Sequence, residues 1–94
     1  MARVAIVTGG TRGIGEAISI ALKDKGMTVA ATYAGNDERA REFTQRTGIT
    51  AYKWDVAAHL ACVEGVRQVE TEIGPVDVLV NNAGSTSDTT LTRR

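Results

Sequence analysis

The chain has 94 residues, 43% of them apolar, and its eleven basic and eleven acidic side chains leave no formal net charge. That suits one small soluble domain, with no basic excess for nucleic acid and no acidic tail for a charged partner. Cys62 is the only cysteine, so neither an internal disulfide nor a multi-cysteine metal site forms within the chain, and the opening apolar run is expected to be neither a secretory signal nor a membrane span.

Residues 3–8 (RVAIVT) read as a short buried strand. From Gly13 the period changes: Ile14, Ala17, Ile18, Ala21 and Leu22 fall on one face of a helix that Lys23, Lys25 and Gly26 bring to an end. Residues 28–33 (TVAATY) form a second strand. Asn36 is placed to cap a polar helix over 37–47, closed by Gly48. A third strand spans 49–56, followed by a helix whose apolar stripe is Leu60, Val63, Val66, Val69 and Ile73, ending at Gly74-Pro75. Residues 76–80 (VDVLV) form a fourth strand that runs into Asn81-Asn82-Ala83-Gly84, and the hydroxyl-rich tail reads as a loop or the start of a helix. Strands alternating with helices, and lacking polar alternation themselves, predict parallel βαβ units with a sheet covered on both faces.

The glycines in VTGGTRGIG interrupt this pattern where the first strand turns into the first helix. Such a position requires either a positive φ or room for a group to approach the backbone. The first N–H groups of a helix have no internal partner and the peptide dipoles leave positive potential there, so a glycine-rich strand-to-helix turn is an anion site. Gly10 and Gly15 have the gap of a Walker A loop, but Glu16-Ala17 follows where Lys-Ser/Thr is needed. The pattern is G-x-x-x-G-x-G rather than G-x-G-x-x-G.

Thr8-Gly9-x-x-x-Gly13-Ile14-Gly15, with Asp55-Val56 after the third strand and Asn-Asn-Ala-Gly after the fourth, resembles the short-chain dehydrogenase/reductase family over almost the whole chain. Within it, RVAIVTGGTRGIGEAI and VDVLVNNAG are most similar to the acetoacetyl-CoA and 3-oxoacyl-carrier-protein reductases. The resemblance implies an α/β fold: the amino-terminal half of a Rossmann-type doubly wound parallel sheet, strand order 3-2-1-4, serving hydride transfer with NAD(P)H. It also implies cofactor-binding roles for Gly9, Thr11, Arg12, Gly13, Ile14 and Gly15 in the glycine turn. Asp55 would take the adenine amino group, Val56 would pack on the ring, and Asn82, Ala83 and Gly84 would pass along the ribose.

In a Rossmann unit an acid at the end of the second strand holds the adenosine ribose and rejects a 2′-phosphate. That place falls at Tyr33, while Arg12 and Arg39 stand where NADP-using members of the family hold the phosphate, so NADP(H) is the expected cofactor. Plainer roles exist for each: solvated arginines, a strand-end acid at Asp55, a strand brace at Asn81, helix-start acids at Asp37 and Glu38. His59 and Cys62 have no companions at ligand spacing and read as structural.

The family's Tyr-x-x-x-Lys pair, in which lysine lowers the pKa of the tyrosine that protonates the carbonyl, does not occur: Asp37 follows Tyr33 by four, and Val56 follows Tyr52. After Asn-Asn-Ala-Gly stands Ser85-Thr86-Ser87-Asp88 rather than the Ile-Thr-Arg-Asp usual in those reductases. Residues 1–94 are therefore expected to be a partial NAD(P)-binding Rossmann domain, cut before the catalytic half, cytoplasmic and inactive alone. The fourth strand is expected to be an open, apolar edge. The longer protein would reduce a small acyl thioester and form a homo-oligomer; the alternative is a non-catalytic dinucleotide-binding module.

Overall fold

The computed structural model describes residues 3–55, 58–82 and 90–93. The elements are β1 (Val4–Val7), α1 (Gly13–Asp24), β2 (Thr28–Tyr33), α2 (Asp37–Thr47), β3 (Thr50–Lys53), α3 (His59–Glu72), β4 (Val76–Asn81) and β5 (Thr90–Arg93). β1 pairs in parallel with both β2 and β4, and β2 with β3, so the first four strands stand in the expected order 3-2-1-4. The third strand is shorter than its apolar run, although the Trp54 N–H still donates to the Tyr33 carbonyl at 3.1 Å.

β1 is buried on both faces, as a covered parallel strand must be. Ala5 and Val7 join Val29, Ala31 and Phe43 in a core beneath α1 and α2. Val4 and Ile6 join Ala30, Trp54 and Val69 in a second core beneath α3. The sheet is thus covered on both faces, as expected, with one core layer on each. In β4 the register slips by one residue: Val4 pairs with Val76, but Ala5 pairs with Val78. The extra residue, Asp77, accepts the Val4 N–H at 2.9 Å. The slip reverses the side-chain parity, so that Val76 faces the α3 core and Val78 the other.

Both helix stripes depart from the hydrophobic pattern at their amino-terminal ends, while Ile18, Leu22, Val66, Val69 and Ile73 pack on the core as expected. In α1 the buried residues are Gly15 and Ser19, with Ile18 and Leu22 packed beside them, while Ile14 is 71% exposed. In α3 they are Gly65 and Val69, while Leu60 and Val63 are exposed. The cause is close approach. A Cβ at Gly65 would collide with the Trp54 indole, and one at Gly15 with the Gly9 carbonyl, so each helix turns its smallest residues toward the sheet.

The tail expectation is corrected in two respects. Residues Thr90–Arg93 are neither loop nor helix but β5, antiparallel to β4 with Leu91 opposite Val80, and β4 is therefore not an edge. The unpaired backbone of an apolar strand is a strong template, and the threonine-rich segment has the β propensity to satisfy it.

Candidate functional site

A cleft of about 730 Å³ opens beyond the carboxyl ends of β1, β2 and β4, at the point where the strand order reverses, with β2 and β3 to one side of β1 and β4 to the other. In open α/β sheets that switch point is where ligands bind. Its floor is the glycine turn. Gly9 and Gly13 have φ of +64° and +59°, and a Cβ at Gly13 would project into open space bordering the cleft. The turn is pinned from both flanks: the Thr32 hydroxyl accepts the Gly9 N–H at 3.3 Å, and the Thr8 hydroxyl accepts the Asn82 N–H at 2.8 Å. Behind it, the buried Ser19 hydroxyl lies 2.9 Å from the Gly15 carbonyl and 3.2 Å from that of Gly10. A Cβ at Gly10 would meet the Ser19 hydroxyl at 2.7 Å, a packing constraint that the sequence reading did not single out.

α1 begins without a side-chain cap: Arg12 stands at the cap position in extended conformation, and the first intrahelical bond is made by the Glu16 N–H. The N–H groups ahead of it have no helix acceptor, which leaves positive potential at the turn. α2 differs, because Asn36 accepts the Arg39 N–H at 3.0 Å and Gly48 closes the helix at φ +75°. That cap fixes where Arg39 enters the cleft wall.

Of the residues expected to bind cofactor, Gly9, Thr11, Arg12, Gly13, Tyr33, Arg39 and Asn82 line this one cleft. Gly15 lies buried behind the turn, Ile14 points to solvent, and Asp55 is exposed after β3; none of the three lines it. Val56, Ala83 and Gly84 lie outside the described residues. The reading missed Ala34 and Gly35, which line the cleft beside Asn36; a small-residue turn directly after β2 was the available signal. Asn81 lies 3.4 Å from the Thr8 hydroxyl and braces the strand ends. His59 is exposed at the start of α3, and Cys62 packs partly against the α3 core.

Charge is sorted across the site. The two charged residues among those lining the cleft are Arg12 and Arg39. Tyr33 forms the wall between this cleft and a smaller hollow lined by Asp37 and Arg41. Burial, then its hydrogen bond to Asp37, pushes the Tyr33 hydroxyl pKa up, and hydrogen bonds from Lys53 and Tyr33 hold the Asp37 carboxyl below its usual value. The arrangement offers uncommitted backbone donors at a helix start, flanked by two guanidinium groups: a receptor for an extended, multiply anionic ligand.

Known proteins agree with this geometry. The chain is 66% identical over 88 residues to the acetoacetyl-CoA reductase of Paracoccus denitrificans, which covers 94% of this chain and 36% of the relative. It is 39% identical over 98 residues to the 3-oxoacyl-[acyl-carrier-protein] reductase FabG of Staphylococcus epidermidis, covering 99% of this chain and 40% of that one. Among solved structures, a variant of actinorhodin polyketide ketoreductase with NADPH superposes with a TM-score of 0.80 at 36% identity, over 89% of this chain and 34% of the other. The chain therefore spans little more than a third of the length of these relatives. The family model for the short chain dehydrogenases matches residues 3–93, nearly end to end, and by that match the chain belongs to the short-chain dehydrogenase family.

Proposed function

We propose that the chain is the dinucleotide-binding part of an NADPH-dependent reductase that converts a 3-oxoacyl thioester such as acetoacetyl-CoA to the 3-hydroxyacyl thioester. The observation that carries the cofactor choice is the pairing of Arg12 and Arg39 on one cleft, with uncharged Tyr33 where an NAD-type acid would stand. The thioester substrate is suggested by the relatives' names.

The residues present fit such a cofactor. The free N–H groups at the start of α1 would hold the diphosphate, and Gly13 leaves the approach open. The guanidinium groups of Arg12 and Arg39 would meet the 2′-phosphate with charge-assisted hydrogen bonds. Ala34 and Gly35 keep the wall after β2 low enough for the adenosine to lie against it. The bound dinucleotide supplies the hydride. These 94 residues bind and orient it, but hold no Tyr-x-x-x-Lys pair to deliver a proton to the carbonyl oxygen.

The test is a calorimetric titration of NADPH and NADH against the chain and its Arg12→Ala/Arg39→Ala variant. Each charge-assisted hydrogen bond is worth roughly 1.5–3 kcal/mol, so NADPH affinity should fall at least about tenfold while NADH affinity holds. An equal fall for both cofactors places the arginines on the shared diphosphate and overturns the NADP reading.

A further inference from the structure

The first acid after β2 is Asp37, in the opening turn of α2 and two residues before Arg39. A free carboxylate there would face the same anion that Arg39 is placed to attract. The structure turns it away. The Tyr33 hydroxyl donates to Asp37 Oδ1 at 3.0 Å, and Lys53 Nζ, from the end of β3, lies 3.2 Å from Oδ1 and 3.3 Å from Oδ2. Asp37 consequently lines the smaller hollow with Arg41, behind the Tyr33 ring, and does not line the cleft that holds Arg12 and Arg39.

We propose that Lys53 and Tyr33 determine cofactor specificity by holding the Asp37 carboxylate behind the Tyr33 ring, where it does not oppose a 2′-phosphate. The inference rests on the NADP reading and deepens it. Lys53 ends β3, in register opposite Tyr33, and does not line the cleft, so its effect on the cofactor runs through Asp37. Tyr33 has two roles on one side chain: its ring is the partition and its hydroxyl is the latch. Both ion-pair partners are more than half exposed, so the pair acts through placement of a charge rather than through fold stability.

The experiment titrates the chain with adenosine 2′,5′-bisphosphate and with 5′-ADP at low ionic strength, where surface charge is least screened. The wild type should prefer the 2′-phosphorylated ligand. Lys53→Met should shrink that preference about three- to tenfold, the range expected for a single charge at several ångströms near a protein surface, with 5′-ADP affinity steady within about twofold. Tyr33→Phe, which changes no charge, should shrink it about twofold. Asp37→Asn alone should leave the preference within about twofold of wild type, and in the Lys53→Met background should restore it; Lys53→Arg should retain it. A preference that survives Lys53→Met, a loss shared equally by both ligands, or a gain in Asp37→Asn alone overturns the inference and leaves the NADP reading standing. A wild type without preference overturns both.

Discussion

Gly13 shows how much a single position can decide. It has φ +59° and an empty half-space where a side chain would go, at the mouth of the cleft. Gly13→Val sets a β-branched residue in a left-handed conformation, which costs about 1–3 kcal/mol, and fills the approach to the helix start. We expect dinucleotide binding to be lost for NADPH and NADH alike, with a lowered melting temperature; unchanged affinity by calorimetry would place the phosphate site elsewhere. Two acids near the cleft are each held by a cation from another element. Glu16, in the first turn of α1, is held at 3.0 Å by Arg46 of α2, as Asp37 is held by Lys53. The sequence exposed the cations of the site because their spacing from the strands is fixed. It hid the pairing of the acids, because their partners come from elements 16 and 30 residues away.

At the scale of elements, period and punctuation were legible while the packing faces were not. Asn36 and Gly48 announced α2 by their chemistry and sit at its ends. The stripes of α1 and α3 hold at Ile18, Leu22, Val66, Val69 and Ile73 but not at Ile14, Leu60 and Val63, because the closest approach to the sheet is made by Gly15, Ser19 and Gly65, which carry no hydrophobic signal. Tyr52 of β3 shows a similar limit: its ring belongs to the α3 core, and its hydroxyl donates to Glu72 of α3 at 2.8 Å. Tyr52→Phe should cost about 1 kcal/mol at neutral pH, the usual worth of a single hydrogen bond. Burial first, then the Glu72 hydrogen bond and charge, pushes the Tyr52 pKa up to about 12. A raised folded-state pKa contributes stability that is present below the unfolded value near 10 and is lost as pH climbs toward 12. The gap between wild type and Tyr52→Phe in urea melts should therefore close across that interval. A gap that stays constant from pH 9 to about pH 12 would show that the hydroxyl is not bound in the folded state.

For the molecule as a whole, alternation and connection rules gave parallel βαβ units, while the order 3-2-1-4 came from the family resemblance; the structure has that order, with α1 and α2 on one face and α3 on the other. The rules do not say what lies beyond β4. A run such as Val78-Leu79-Val80 demands a partner without naming it, and the partner proved to be a threonine-rich segment of the same chain, joined in antiparallel register with Asn81 opposite Thr90. The pairing has a consequence for solution behaviour. Removing residues 83–94 would leave β4 with a full row of unpaired N–H and C=O groups beside apolar side chains, the arrangement that promotes edge-to-edge association. Sedimentation velocity should find the 1–82 chain self-associating at concentrations where the 94-residue chain sediments as a single smaller species. Because β5 pairs with β4 on the side away from β1, the cleft should outlast the truncation, and the 1–82 chain should still bind adenosine 2′,5′-bisphosphate within a few-fold of the longer chain. A monomeric 1–82 chain would mean that β4 is shielded without β5, and the pairing would then have no part in keeping the chain apart from its copies.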